Sequence, residues 1–163
     1  MRAGILVVFT LVLLIACNSD SSKKKENKAD GGKKIDLKVF PADLITTINR
    51  ECTSIDLISL RKDLNVSMSF DNPQSIAIIL SFITDEVGNL TNLCAPDAHL
   101  VLQKNGEIIQ DLNLYYQKTC NALVFLDKEN KPIGANKISN EGVDFFNNFL
   151  KNKVSQDTTG RNR

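Results

Sequence analysis

Hydrophobic and polar residues alternate over two parts of the chain, and both predict β-structure. Residues 64–71 place an apolar side chain at every second position, as in a half-buried strand. Residues 100–104 and 107–114 flank Asn105 and Gly106. Asn-Gly is the dipeptide that two-residue hairpin turns favour, so a β-hairpin is predicted here.

Three further segments favour strands. Residues 35–40 alternate up to Pro41, and residues 120–126 form an apolar run. A polar turn at 127–131 follows, and 132–138 is predicted to return as an edge strand.

Apolar residues recur at helical spacing in residues 43–51, which predicts a short helix. Ser54 is predicted to cap a second helix whose apolar stripe runs from Ile55 to Leu64. Asn140 is predicted to cap the last helix, whose apolar side chains would face the sheet.

Asn72 and Pro73 have the pattern of an N-cap followed by a first-turn proline, so a helix is predicted to start there and to end at Gly88. The competing interpretation is a buried strand over 76–83, because that run is rich in β-branched residues.

The predicted order is β-α-α-β-α-β-β-β-β-α. It indicates an α+β fold, with a small antiparallel sheet and helices packed mainly on one face. Residues 35–154 are expected to form a single domain, and 155–163 a disordered tail.

The N-terminus carries Arg2, followed by an almost unbroken apolar run over residues 5–15. This run is too short to span a bilayer, which takes about 20 residues, but it has the length of a signal-peptide core. The run ends in Leu14-Ile15-Ala16-Cys17. The whole segment resembles a bacterial lipoprotein signal peptide with its lipobox. The resemblance implies removal of residues 1–16 and covalent lipid on Cys17.

Residues 17–34 are expected to form the lipidated cysteine and a flexible polar tether. The stretch after Cys17 has six lysines, three acidic residues and a single apolar residue, so it cannot bury enough surface to order itself. The lysines either rest on anionic headgroups or only keep the tether solvated. The expected location is the bacterial envelope, and Asn18, which is not aspartate, favours the outer over the inner membrane.

Residues 35–163 carry 13 basic and 16 acidic residues, so no basic surface for nucleic acid is predicted. Among the three remaining cysteines, a Cys94–Cys120 disulfide is favoured because both residues lie at the edges of predicted strands. Cys52 is then a buried free thiol or belongs to a different pairing. The cysteine spacing does not suit zinc and His99 is the only histidine, so no metal or cofactor is predicted besides the lipid.

Candidate chemistry is sparse. Asp97, His99 and Cys120 formally offer an orienting carboxylate, a base and a nucleophile, and the alternative is a surface loop beside a disulfide. Tyr115 and Tyr116 are predicted to form an exposed contact patch, or else to cover the sheet edge. The acidic pair at 85–86 and the acidic turn at 127–130 lack the spacing of a calcium or carboxylate-dyad site.

The leading hypothesis is a membrane-tethered, non-enzymatic binding or accessory domain that contacts an envelope protein as an assembly factor, an inhibitor or immunity protein, or a receptor-occluding protein. The alternative is a small-ligand carrier or envelope hydrolase with a site near Asp97, His99 and Tyr115. A purely structural lipoprotein is the third. No pattern in the chain indicates an oligomeric state.

Overall fold

A computed structural model describes residues 32–117 and 119–159, with side chains described as far as Leu150. These residues fold into a seven-stranded sheet and three helices. In chain order the elements are α1 (Ala42–Glu51), β1 (Ser54–Ser59), β2 (Ser67–Phe70), α2 (Pro73–Ser81), β3 (Ile83–Val87), β4 (Ala98–Lys104), β5 (Glu107–Gln117), β6 (Cys120–Leu126), β7 (Pro132–Ile138) and α3 (Asn140–Thr159).

All strand pairs are antiparallel, and the spatial order is β2-β1-β4-β5-β6-β7-β3. The centre is a meander from β4 to β7, in which each strand pairs with the next one in sequence. The predicted α+β class is confirmed. The predicted signal peptide, Cys17 and the tether up to residue 31 lie outside the described residues. The predicted tail, 155–163, overlaps the end of α3.

The predicted hairpin and its turn are confirmed. Asn105 and Gly106 have φ angles of 52° and 85°, the left-handed region that a primed hairpin turn requires. The predicted β6 and β7 have the expected bounds. Between them, Asp127 Oδ1 accepts the backbone N–H of Glu129 at 2.9 Å and of Lys131 at 2.8 Å, which closes the polar turn.

Two helix starts follow the sequence prediction. Asn72 Oδ1 accepts the backbone N–H of Gln74 at 2.9 Å, which caps α2 in front of Pro73. Helix α3 starts at the expected place, but its cap differs. Ser139 Oγ accepts the backbone N–H of Gly142 at 3.1 Å, so Ser139 rather than Asn140 provides the capping oxygen.

Two helix predictions are wrong in part or whole. The segment after Ser54 is a strand, β1, because Ile55 and Leu57 point into the core and the intervening residues do not. Helix α2 ends at Ser81, seven residues before Gly88, because β3 pairs with β7 from Ile83 onward. The competing interpretation, a strand over 76–83, is wrong, because residues 76–81 belong to α2 and β3 begins only at Ile83.

The predicted strand at 35–40 is also wrong, and so is the edge position of β7. An isolated bridge, Lys34 with Thr91, precedes this segment, which forms no ladder itself and passes beside β7. There Lys38 O accepts the Ala135 N–H at 2.8 Å, and Phe40 N donates to Asn136 Oδ1 at 2.9 Å. This segment and β3 together cover the side of β7 that was predicted to be an edge.

The helices pack on one face of the sheet, the helix face, as predicted. The core there includes Leu100, Leu114 and Phe125 from the sheet and Phe146 and Leu150 from α3. A smaller cluster lies on the opposite face, over β5, β6 and β7. It combines Tyr115, Cys120, Ala122, Val124, Leu126 and Ala135 with residues of two covering loops, Leu37, Leu90 and Cys94.

Candidate functional site

The predicted disulfide is present, and it removes the candidate nucleophile. Cys94 and Cys120 are joined, with their Cα atoms 6.4 Å apart. The bond fixes the loop before β4 to the start of β6. Cys120 is fully buried, so it offers no thiol to a substrate. Cys52, at the C-terminal end of α1, is the free cysteine of the described part of the chain, and it is partly rather than fully buried.

His99 is held on both sides by polar side chains of the neighbouring strand. Its Nδ1 lies 3.1 Å from Asn113 Oδ1, and its Nε2 lies 3.1 Å from Asp111 Oδ1. Both ring nitrogens are therefore engaged within the sheet. A histidine base aimed at Cys120, which the sequence allowed, is not formed.

Asp97 does not orient His99 either. Its carboxylate accepts the Tyr116 N–H and the Gln117 side-chain amide, each at 3.0 Å, and only 2% of Asp97 is exposed. Asp97 and His99 are neighbours in sequence, but they act in separate hydrogen-bond groups. Asp97 is a structural residue that ties the entry of β4 to the end of β5.

The predicted exposed patch of Tyr115 and Tyr116 is wrong, because both side chains are buried, at 9% and 3% exposure. They lie on opposite faces of the sheet: Tyr115 in the smaller cluster, and Tyr116 in the main core, where its ring lies 6.2 Å from that of Phe146. Burial raises the pKa of both phenols.

A band of polar side chains crosses the remainder of the sheet face opposite the helices. We call this part, on β2, β1, β4 and β5, the open face. Ser69 Oγ donates to one carboxylate oxygen of Asp56, and Gln103 Nε2 donates to the other at 2.7 Å. The register pairs Asp56 with Ser69 and His99 with Asn113, so two hydrogen-bonded groups, one centred on Asp56 and one on His99, together cover four adjacent strands.

His99 is the one residue of this band that the sequence pattern indicated as a candidate functional residue. Asp56, Gln103, Asp111 and Asn113 were missed, although each alternates with an apolar core residue of its strand. The signal that could have found them is the two-residue alternation that also predicts the hairpin, because these residues hold its outward-facing polar positions. For Asp56 even that signal was lost, because its segment was assigned to a helix.

An apolar groove of about 270 Å³ adjoins the open face at Asp111. Its exposed apolar residues are Ile108 and Ile133, with 63% and 48% of their surfaces accessible. The full lining is Ile108, Ile109, Gln110, Asp111, Leu126, Asp127, Lys128 and Ile133. The groove combines apolar walls with two carboxylates and one ammonium group.

A second cavity, of about 360 Å³, lies beside α1 and α2. Its lining is Asn49, Arg50, Cys52, Thr53, Asp71, Pro73, Ile76 and Ala77. Burial raises the pKa of the Cys52 thiol, which contacts Ser54 O at 3.2 Å. Neither this cavity nor the groove is lined by Asp97, His99 or Tyr115.

The acidic residues set aside in the sequence have ordinary structural surroundings. Glu86 pairs with Lys137 at 2.6 Å, and Asp127 closes its own turn. Within residues 32–117 and 119–159, no group of three potential metal ligands comes together. In the same part of the chain, no helix combines the length and hydropathy needed to cross a bilayer.

Comparison with known proteins gives no relative from which to transfer a function. No protein-family model, no curated protein and no solved structure matches this chain.

Proposed function

We propose that this protein is a lipid-anchored lipoprotein of the bacterial envelope that acts by protein–protein contact rather than by catalysis. Its role would be that of an assembly factor, an inhibitor or immunity protein, or a receptor-occluding protein. The lipobox ending at Cys17 supports the anchor, and Asn18 favours the outer membrane. The open face supports the contact function.

The open face is the observation that carries this proposal. Its polar side chains form two hydrogen-bonded groups, Asp56 with Ser69 and Gln103, and His99 with Asp111 and Asn113. They are therefore already ordered before a partner arrives and lose little conformational entropy on binding. The adjoining groove supplies what a polar surface lacks, namely a place for an apolar anchor residue of the partner.

The groove and the open face together favour a particular partner chemistry. Asp56, Asp111 and Asp127 bring carboxylates to this surface, whereas Lys128 is the one cation lining the groove. A partner segment with an apolar side chain flanked by lysine or arginine would complement both features. Residues 35–163 have more acidic than basic residues, which also favours a positively charged partner.

The competing function, a small-ligand carrier or hydrolase near Asp97, His99 and Tyr115, has less support. Asp97 and Tyr115 are buried, His99 has both nitrogens engaged and Cys120 is in a disulfide. Such a site would need these groups to face a common cavity.

Crosslinking of the full-length protein in its native membranes, followed by affinity capture, tests the contact function. Ile108→Asp places a charge in the groove at an exposed position, and Ile78→Asp is the matched control on α2, where Ile78 is 45% exposed. We expect one crosslinked partner that is captured by the wild type and by Ile78→Asp and is lost in Ile108→Asp.

Two results would overturn the proposal. One is a crosslinked partner retained equally by both variants, since the groove would then play no part. The other is a reaction catalysed by the purified protein and abolished by His99→Ala. Fractionation of Cys17→Ser tests the anchor separately: the variant should leave the membrane fraction while the domain stays folded.

A further inference from the structure

The point at which the tether joins the domain is fixed to a loop of the sheet. Ile35 N donates to Leu90 O at 2.9 Å, and Asn92 N donates to Lys33 O at 3.0 Å. The loop is in turn held by the Cys94–Cys120 disulfide. We call residues 32–35 and 90–93 the tether root. Its position relative to the sheet is set by these bonds.

The tether root exposes apolar side chains beside lysines. Leu93 is 68% exposed, the largest fraction among the large apolar side chains of the described residues. It lies directly over Gly32, where an added methyl group would overlap the leucine side chain. Ile35 is 38% exposed, and the side chains of Lys33 and Lys34 are exposed as well.

We propose that the tether root is a lipid-contacting surface, with Leu93 entering the boundary between headgroups and acyl chains and Lys33 and Lys34 binding anionic headgroups. The proposal rests on the lipid anchor at Cys17 proposed above. Apolar residues beside lysines are the combination that peripheral proteins use at an anionic bilayer surface.

Chain length and charge select the bilayer as the occupant of this surface. Residues 18–31, which the sequence predicts to be a tether, separate Cys17 from the root, and a flexible chain of that length would have an r.m.s. span of about 20 Å. An anchored root would therefore stay within reach of the headgroups. Residues 32–38 contain three lysines and one aspartate, whereas residues 35–163 as a whole are net acidic. An anionic surface would attract the root and repel the remainder, which orients the domain.

The absence of tryptophan from the chain makes a direct test available. Leu93→Trp introduces a single indole at the root, and Leu44→Trp introduces one on α1, where Leu44 is 45% exposed. Each full-length variant is produced in a bacterium and reconstituted into vesicles of phosphatidylethanolamine and phosphatidylglycerol. Half of the vesicles carry brominated acyl chains, which quench an indole only on close approach.

We expect the brominated chains to reduce the fluorescence of Leu93→Trp by about twofold or more, and that of Leu44→Trp by much less, because only the root enters the boundary region. Replacing phosphatidylglycerol by phosphatidylcholine, or adding Lys33→Glu with Lys34→Glu, should weaken the quenching. Equal quenching of both indoles, or none at position 93, would overturn the proposal.

The mass of the N-terminal peptide separates this proposal from the anchor itself. A peptide without lipid on Cys17 overturns the anchor. The same two indoles are then compared after vesicles are added to the unanchored protein. Selective quenching of Leu93→Trp would still support the lipid contact, and no difference between the two would overturn it.

Discussion

The carboxylate of Asp97 accepts the backbone N–H of Tyr116 at 3.0 Å, although 19 residues separate them. The same carboxylate accepts the side-chain amide of Gln117, and the Asp97 backbone bonds to Leu114 and Leu60. A residue that looked like part of a catalytic group in the sequence therefore serves as a junction between β4, β5 and the loop after β1.

Asp97→Ala should lower the free energy of unfolding by about 2–3 kcal/mol, because it leaves the buried Tyr116 N–H without its acceptor. Urea unfolding followed by far-ultraviolet circular dichroism measures the change. Asp85→Ala, at an exposed position of β3, is the control and should change stability by no more than about 0.5 kcal/mol. Equal effects of the two substitutions would contradict the role of Asp97.

Replacing Cys94 and Cys120 together by alanine should destabilise the domain by about 3–4 kcal/mol. The disulfide closes a loop between residues 26 apart in sequence, and its loss restores conformational entropy to the unfolded chain. Urea unfolding with and without a reductant gives the same comparison in the wild type. Cys52→Ala is the matched cysteine control, and wild-type stability that does not respond to the reductant would speak against the disulfide.

The two tyrosine side chains should lose their protons at a higher pH than a free tyrosine does. Burial raises the pKa of Tyr115 and Tyr116 in the folded protein, and the negative charge of Asp97 adds to the effect on Tyr115. An unfolded phenol ionises near its ordinary pKa of about 10. Between the two values the folded state retains protons that the unfolded state has lost, so stability present below pH 10 falls as the pH rises.

Ultraviolet absorbance of the phenolate measures this directly, because the chain has only these two tyrosines and no tryptophan. The absorbance change should coincide with the loss of circular dichroism at alkaline pH. Tyr115→Phe and Tyr116→Phe separate the two contributions. A phenolate signal that develops near pH 10 while the fold is intact would contradict the burial of the tyrosines and support the exposed patch predicted from the sequence.

Asn136→Leu should destabilise the domain by about 2–4 kcal/mol, since it removes two hydrogen bonds at a fully buried position. Asn136 Oδ1 accepts from Phe40 N, and its amide nitrogen donates to Thr84 O at 2.9 Å. Hydrogen exchange should become faster at the Phe40 amide, and Asn148→Leu, at an exposed position of α3, is the comparison. Unchanged exchange at Phe40 would contradict the assigned bond.

Local signals predicted the elements that depend on local interactions. Asn105-Gly106 specified its hairpin because few residues tolerate the left-handed backbone there, and Asn72-Pro73 specified the start of α2. The helix prediction for the segment after Ser54 failed because the six residues of β1 are too few to distinguish a helical period from a strand period. Ile55 and Leu57 are buried by β2 and β4, which lie elsewhere in the sequence.

Long-range pairing explains the other errors. Nothing near Pro132–Ile138 indicates that β3 covers its edge, since the two strands are more than 40 residues apart. The open face depends in the same way on register, because Asp56 meets Gln103 and His99 meets Asp111 only once β1, β4 and β5 are aligned. The alternating polar positions could be predicted from the sequence, but the residues that lie beside them on neighbouring strands could not.

The path of residues 32–40 determines how the domain would respond to mechanical load. A force applied to the N-terminal end of this segment acts first on the hydrogen bonds of Lys33 and Ile35 to the loop at 90–92. The disulfide joins that loop covalently to β6. Further along, Phe40 is held by Asn136 and by its ring stacked 3.9 Å from that of Phe125. Tension would detach this segment before it opened the central strands, so the domain can stay folded while residues 32–40 are pulled away.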